Sequence, residues 1–231
     1  MKRTCSLAKH VFLLAGLLLT AGVNAQTLQY TPYKDKATNV DYNLLFCDDL
    51  ALYRTHHQGA VTGPWQMLFA QPVNLKNLQA LANSTSQETR VRILAFNALE
   101  QHHIKQKHKA LLAVIVEMGL THGLKTLAVY QDLRVRYIDP SGKLRVWESH
   151  TPVIDAKIHK LFQEAQPIIE KIGPWGKPRL APPPAGQMRL TFLVNDGLYF
   201  GEGTMRHLSR SPLAGPVVTA ATELLFALTQ H

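Results

Sequence analysis

The chain has 231 residues, with 25 lysines and arginines against 16 aspartates and glutamates, and two cysteines. This length fits one domain, and so few cysteines exclude a small fold held together by several disulfides. An apolar run near the start is shorter than the ~20 residues that cross a bilayer, and no spanning run follows it, so we expect no transmembrane segment.

Residues 1–25 have the layout of a secretory signal peptide. Basic residues open the segment, an apolar core spans residues 11–19, and a small-residue cleavage site ends at Ala25. Cys5 precedes the apolar core, which argues against a lipid anchor at this residue. The sequence therefore predicts an exported protein, periplasmic or extracellular, whose mature part is a single domain at residues 26–231.

The mature domain is moderately basic. Removing the three basic residues of the signal from 25 leaves 22 basic against 16 acidic residues. Lipid headgroups, polysaccharides and other anionic surfaces are therefore plausible partners, whereas nucleic acid is not expected for an exported protein without a binding motif. Cys47 is the remaining cysteine, so no internal disulfide can form. Its place after an apolar run predicts a buried, inert thiol.

The first part of the mature chain predicts two helices. Residues 26–40 are polar and without a pattern, which indicates an extended lead-in. Asn74 can cap a short helix that carries three leucines on one face. Residues 85–88 have the spacing of a capping box and precede a second amphipathic pattern. We expect these helices to form an N-terminal layer.

The middle of the chain changes to the pattern of β-strands. The apolar run Leu111–Leu120 favours a buried strand, although periodicity leaves a helix open. Apolar and basic residues then alternate with the period of a half-buried strand. The further strand candidates are "TLAVYQD", "LRVRYID" and "KLRVWE".

Residues 139–142 match a type I turn whose glycine ends a three-residue hairpin loop. This register places Val135 opposite Trp147 and makes one side of the hairpin apolar. Ser141 then lies at the exposed tip of the turn. We therefore interpret Ser141 and Lys143 as turn residues and not as a nucleophile with its base.

The C-terminal part predicts a helix, a hairpin and a second helix. Thr151 caps the first helix, which ends near Gly173. The proline-rich residues 173–186 cannot form a central strand and indicate a stiff connection across the surface. The last helix begins near Gly215. A bulged turn at residues 194–197 would place four residues of the hairpin on one face: Phe192, Val194, Leu198 and Phe200.

This order of elements predicts an α+β fold. An antiparallel meander sheet would be packed by the C-terminal helices, with the N-terminal helices as a further layer. The order is similar to that of profilin-type and roadblock-type sandwiches. The likeness concerns order alone and implies no function.

Histidine pairs at residues 56–57 and 102–103 raise the question of a metal site. Neighbouring histidines on a helix point apart, and the lysines around the second pair repel a cation, so we predict no metal. This segment can instead be an anion-facing loop whose histidines gain positive charge at mildly acidic pH. A solvated connection is the alternative. The loop residues are His102, His103, Lys105, Lys107, His108 and Lys109.

Three carboxylates could support acid–base chemistry. Asp48 and Asp49 follow the lone cysteine, and Glu117 interrupts a strongly apolar run. A carboxylate in such a place can be an acid with a raised pKa. It can equally face water or pair with an arginine, so a hydrolase using these residues is an alternative hypothesis.

The glycines of "FGEG", Gly201 and Gly203, do not match a phosphate loop, which leads into a helix with a lysine. They are typical of a strand end where another chain or a ligand passes close. A peptide or a sugar could bind in a cleft nearby. The residues that we expect to line this ligand-binding cleft are Trp65, Trp175, Tyr199, Glu202 and Arg206.

Four stretches, "DYNLLFCDDLALYR", "GPWQMLFA", "RYIDPSGK" and "FLVNDGLYFGEG", together resemble a family of exported bacterial proteins with no known activity. The resemblance covers most of the mature chain and implies no cofactor or catalytic residue. One departure is Gln131-Asp132-Leu133, where the family pattern has an Asp-Gly turn. This departure puts the connection between the second and third predicted strands in question.

The sequence thus favours a soluble, exported binding or accessory protein without a cofactor, and not an enzyme. Its partner would be another envelope protein, a glycan or an anionic surface. The alternatives are a carboxylate-dependent hydrolase and a subunit that forms an oligomer.

Overall fold

The computed structural model describes residues 29–149 and 151–230, and the predicted signal segment lies outside these ranges. The N-terminal helices are α1 (Lys36–Leu44), α2 (Leu50–His56), α3 (Gly63–Phe69), α4 (Leu75–Asn83) and α5 (Thr89–Gln101). The C-terminal helices are α6 (Pro152–Lys171), α7 (Met205–Arg210) and α8 (Ala214–Thr229). No helix of the described residues combines the length and the apolar character that a membrane span needs.

The six strands form one sheet in the order β4-β3-β2-β1-β5-β6, and every neighbouring pair is antiparallel. The prediction of an α+β fold with an antiparallel sheet is confirmed. The strands are β1 (Leu111–Leu120), β2 (Gly123–Tyr130), β3 (Val135–Ile138), β4 (Leu144–Trp147), β5 (Gln187–Val194) and β6 (Gly197–Thr204).

Helices cover the sheet on both sides. One side, the α6–α8 face, packs residues such as Val114 of β1 against Ile158 and Leu224 of the C-terminal helices. The other side, the α1–α5 face, packs residues such as Ile115 against Leu94 of α5. Because β1 is buried on both faces, its sequence is a nearly continuous apolar run and lacks an alternating pattern.

The first hairpin has the predicted register. Val135 lies opposite Trp147 in the β3–β4 ladder, and Gly142 has a left-handed φ of 92°. The hydroxyl of Ser141 donates to Asp139 Oδ1 at 2.6 Å on the exposed tip. The interpretation of Ser141 as a turn residue is therefore confirmed.

The second hairpin has a different register from the predicted one. Val194 pairs with Gly197 around a two-residue loop, so Leu198 lies opposite Leu193 and packs on the α1–α5 face. The prediction that Leu198 shares a face with Val194 is wrong. Asn195 holds the short loop, because its side-chain oxygen accepts from the amide of Ala110 at 2.8 Å.

The start of α5 also differs from the sequence prediction. Asn74 caps α4 as expected, with its side chain accepting from Asn77 N at 3.0 Å. The capping-box prediction for residues 85–88 is wrong, because α5 begins at Thr89. Asp132 instead accepts from the Thr89 amide at 2.7 Å and bonds the helix start to the β2–β3 connection.

In that connection Leu133 takes a left-handed φ of 69°. Glycine is the residue that tolerates this conformation best. Leu133 therefore takes the place and the conformation of the glycine in the expected Asp-Gly turn. The contacts of Asp132 with the start of α5 support this conformation.

Helix α1 begins inside residues 26–40, the region predicted to be an extended lead-in. Its buried residues include Thr38, Asn39, Asn43 and Tyr42, and three of these four are polar. A helix that buries polar side chains has no apolar period, so the pattern that reveals most helices misses this one.

Candidate functional site

A row of polar side chains crosses the α1–α5 face of the sheet. Thr126 of β2, Glu117 of β1, Arg189 of β5 and Glu202 of β6 lie opposite one another in successive strand pairs. The first three are buried, with exposed fractions of 0%, 0% and 4%. Buried charges in proteins are paired or hydrogen-bonded, so the partners of this row decide what it does.

Glu117 accepts a hydrogen bond from a residue of α1. Its Oε1 accepts from the hydroxyl of Tyr42 at 2.6 Å, and its Oε2 lies 3.7 Å from Arg189 Nη1. Burial raises the pKa of the Glu117 carboxyl, while the Tyr42 hydrogen bond and the Arg189 charge oppose the rise. The carboxylate lies between the sheet and the N-terminal layer, with no exposed surface of its own.

Arg189 connects the row to the proline-rich segment. Its guanidinium donates to the carbonyl oxygens of Leu180 and Ala181, at 3.2 and 2.7 Å. It also forms an ion pair with Glu202. Because Glu202 is paired with a buried arginine, its negative charge is balanced within the fold.

Arg179 enters the interior from the proline-rich segment itself. Its Nε donates to Asp48 at 2.9 Å, its Nη2 donates to Asn43 Oδ1 at 2.9 Å, and its guanidinium lies 3.9 Å from the ring centre of Phe46. Residues 173–186 form no strand and run largely exposed across the surface, as predicted, but the side chain of Arg179 turns inward. Arg179, which is only 7% exposed, anchors this connection against α1.

The three predicted carboxylates therefore have different places. Asp48 pairs with Arg179, Asp49 caps α2 by accepting from the Leu52 amide at 2.8 Å, and Glu117 lies in the polar row. Each one bonds a neighbouring element of the fold. Their contacts are those of structural residues that join the sheet, α1, α2 and the proline-rich segment.

Cys47 lies beside this region and is fully buried. Burial raises the pKa of its thiol to about 12, although the Tyr53 hydroxyl next to it opposes the rise. A thiol with so high a pKa is protonated at neutral pH and unreactive. The prediction of a buried thiol is confirmed.

The predicted anion-facing loop connects α5 to β1 and is largely exposed. Lys109 differs from its neighbours, because its Nζ donates to the carbonyl oxygens of Ile169 and Ile172, at 2.7 and 3.2 Å, at the end of α6. It therefore supports the C-terminus of a helix. All six loop residues, Lys109 included, are exposed, and three of them, Lys105, Lys107 and His108, line an open groove of about 450 Å³ with Gln79 and Asn83.

Two of the residues predicted to line a ligand cleft lie on opposite faces of the sheet. Trp65 of α3 stacks on Tyr53, with ring centres 5.9 Å apart, and packs on the α1–α5 face. Tyr199 is buried in the core of the α6–α8 face, where its hydroxyl donates to Asp196. These two aromatic rings therefore do not share one cleft.

The other predicted cleft residues lie around β6. Trp175 packs edge-on against Phe200, with ring centres 5.1 Å apart. The guanidinium of Arg189 lies 5.7 Å from the ring centre of Phe200 and pairs with Glu202. Arg206 is exposed on α7, directly after the strand. The structure thus brings Trp175 and Glu202 to the same side of β6.

The outer edge of β6 is open along most of the strand. The amide of Trp175 donates to the carbonyl of Leu198 at 2.7 Å, so Leu198 turns its backbone groups away from β5. In an antiparallel strand, residues two apart turn these groups to the same side, which places those of Phe200 and Glu202 on the outer edge as well. No residue of 29–149 or 151–230 bonds the outward backbone groups of Phe200 or Glu202.

Sequence reasoning identified the glycines of this strand but not its position at the edge. Gly201 and Gly203 lie in the last four residues of β6, which ends at Thr204, as the sequence predicted. A β-carbon built on Gly201 would meet no atom within 4 Å, so the space beside the middle of the strand is open. The strand order that makes β6 an edge depends on pairings between distant segments, which no local pattern records.

The other clusters and clefts of the described residues are poorer candidates for a binding site. In the described part of the chain, no three histidine, cysteine or acidic side chains gather as a metal site would require. A cleft between α8 and the strands β1–β3 has a volume of about 40 Å³, far below the ~300–1,000 Å³ of small-molecule sites. Its lining residues are mostly apolar and include Lys125.

Comparisons with protein-family models and with curated proteins find no match for this chain. The resemblance to a family of exported bacterial proteins therefore stays a prediction.

Proposed function

We propose that this chain is an exported, non-catalytic binding protein of the cell envelope, and that it binds an extended segment of another protein along the outer edge of β6. The export part of the proposal rests on the signal-peptide layout of residues 1–25. The binding part rests on the unpaired backbone groups at the edge of β6.

An open strand edge supports this function because its amides and carbonyls can pair with an added strand. Natural proteins usually protect such edges by shortening them or covering them, since an open edge pairs with other chains. β6 has eight residues, and the amide of Trp175 covers only the beginning of its outer side. The edge at Phe200 and Glu202 is therefore available to a partner.

The opposite edge of the sheet is protected in a different way. β4 has only four residues, and the exposed Arg145 lies within it. Glu148, directly after β4, pairs with Arg134 and Arg136. A short, charged edge is a poor template for another strand, so β6 is the better docking edge.

Two alternative functions have less support. A hydrolase based on Asp48, Asp49 and Glu117 would need side chains that reach a substrate, and these three are bonded to neighbouring elements. An oligomer-forming subunit would use the same β6 edge for a second copy of the chain. Size-exclusion chromatography separates this case, because a subunit elutes above the monomer mass.

The test compares two substitutions of Glu202. Glu202→Ala and Glu202→Pro both remove the ion pair with Arg189, but only proline removes the outward backbone N–H. Peptides of roughly eight residues, the length of a strand, would be selected from a random display library on the wild-type protein. Their affinity for both variants would then be measured by fluorescence anisotropy.

We expect the selected peptides to bind Glu202→Ala about as well as the wild type and Glu202→Pro at least ~10-fold more weakly, about the value of one hydrogen bond in a strand ladder. Thermal unfolding of both variants controls for loss of fold. Equal affinity for the two folded variants, or the absence of any selected peptide, would contradict the proposal.

A further inference from the structure

The end of β6 adjoins a groove lined by two cationic side chains of α7, Arg206 and Arg210. α7 follows the strand at once, and Arg206, His207 and Arg210 line an open groove of about 580 Å³ together with Thr204. None of these three side chains forms an ion pair with any residue of 29–149 or 151–230. The groove therefore presents positive charge that the described part of the chain does not neutralise.

The groove lies on one particular side of the strand edge. A β-carbon built on Gly203 would lie 3.5 and 3.6 Å from side-chain atoms of His207 and Leu208, so α7 covers Gly203. Leu208 belongs to the core of the α6–α8 face. An added strand would therefore turn every second side chain toward α7, and Gly201 leaves open space in which those side chains fit.

The other side of the edge has a different chemistry. Phe200 and Glu202 turn toward the α1–α5 face, where Trp175 packs on Phe200. The carboxylate of Glu202 is paired with Arg189, so its charge is already balanced. The remaining side chains of an added strand would therefore meet aromatic surface.

We infer that the segment bound beside β6 alternates acidic residues, which face Arg206 and Arg210 of α7, with apolar or aromatic residues, which face Phe200 and Trp175. This inference rests on the strand addition proposed above and names the chemistry of its partner. Charge complementarity of this kind contributes to specificity and to the rate of association. A second copy of this chain would place another basic surface at the edge and is the less favourable occupant.

The experiment uses two synthetic, fluorescently labelled peptides of roughly ten residues, a strand length with short ends. One alternates glutamate with valine and tyrosine, and the other has glutamine in place of every glutamate. Both are titrated with the wild type, with the double variant Arg206→Ala/Arg210→Ala, and with a control double variant, Lys143→Ala/Arg145→Ala. The control removes two exposed cations from the hairpin at the opposite edge of the sheet.

We expect the glutamate peptide to bind the α7 variant roughly 10-fold more weakly than the wild type, and to bind the control variant as the wild type does. The glutamine peptide should bind the wild type and the α7 variant with equal affinity. Binding of the glutamate peptide alone should weaken as salt is raised from roughly 50 mM to 500 mM.

Equal binding of both peptides to the wild type would overturn the inference and leave the strand-addition proposal standing. Binding of neither peptide would overturn both. Anionic phosphatidylserine vesicles and inorganic phosphate serve as competitors. If vesicles bind the wild type and lose binding with the α7 variant, or if millimolar phosphate displaces the glutamate peptide fully, the groove recognises phosphate groups and the inference fails.

Discussion

Gly119 of β1 lies directly beneath Pro184 of the proline-rich segment. A β-carbon built on Gly119 would lie 2.2 Å from the carbonyl oxygen of Pro184, and the Gly186 amide donates to the Gly119 carbonyl at 2.9 Å. Backbone atoms cannot yield as the end of a flexible side chain can. The chain therefore passes over the sheet at this point only because residue 119 has no side chain.

Gly119→Ala should destabilise the protein strongly. The new methyl group would push the proline-rich segment away and disturb the Arg179 and Arg189 contacts that hold it. We expect a loss of about 2–4 kcal/mol in the free energy of unfolding, measured by urea denaturation. The matched control is Gly201→Ala, where the β-carbon meets open space and should change stability by less than about 1 kcal/mol. Equal effects of the two substitutions would contradict this packing argument.

Glu117→Gln should have a pH-dependent effect on stability. Burial raises the pKa of Glu117 above its unfolded value of about 4.3. The native state therefore binds this proton more tightly than the unfolded state, and wild-type stability falls as pH rises from about 4 through the folded pKa. Glutamine carries no charge and escapes this loss. Relative to that of the wild type, the free energy of unfolding of the variant should rise by on the order of 1 kcal/mol between pH 4 and pH 7.

The measurement for Glu117 is urea denaturation of the wild type and the variant at both pH values. Glu117→Ala is the control, because it leaves the Tyr42 hydroxyl without its acceptor and should cost about 2–4 kcal/mol at either pH. A glutamine variant that loses stability relative to the wild type as pH rises would show that the ion pair with Arg189 outweighs burial.

Arg179→Met should release the proline-rich segment from α1. The substitution keeps an apolar stem near the Phe46 ring but leaves Asp48 without its guanidinium partner. Breaking a buried pair from one side costs about 3–5 kcal/mol, and we expect a value near the lower limit because Asp48 is partly exposed. Hydrogen exchange should show faster exchange in residues 173–186. Unchanged exchange there would remove the anchoring role assigned to Arg179.

The basic loop after α5 should contribute to binding of anionic surfaces. The positive charge of this loop predicts salt-sensitive binding to anionic vesicles. Lys105→Ala/Lys107→Ala should weaken that binding, because both lysines are exposed. Lys109→Ala should act on stability, by about 1 kcal/mol, since Lys109 bonds the end of α6. Vesicle sedimentation and thermal unfolding separate the two effects. Equal vesicle binding before and after loss of Lys105 and Lys107 would reject the loop as a binding site.

Local patterns predicted the elements whose reasons lie within a few residues. The turn at residues 139–142 specifies its hairpin through Pro140 and Gly142, and Asn74 caps α4 with its own side chain. The turn at residues 194–197 was predicted in the wrong register. Its loop is held by bonds to Ala110, which lies far away in the sequence.

The candidate site was predicted in its parts and not in its arrangement. Sequence patterns singled out Glu117, Glu202 and Arg206, but no local signal placed Arg189 between the two glutamates or Arg179 beside Asp48. Those contacts join segments separated by up to 131 positions along the chain. Strand pairing brings Arg189 to the two glutamates, and packing of the proline-rich segment against α1 brings Arg179 to Asp48.

The sequence by itself determined the α+β class, the order of the main elements and the burial of Cys47, because turn chemistry and apolar periodicity act over neighbouring residues. Tertiary structure alone decided that β6 lies at an open edge beside a basic groove, and that buried charges join the sheet to the proline-rich segment. The physical reason is that strand order and charge pairing depend on distances between segments that are remote in the chain, and packing of the whole core sets those distances.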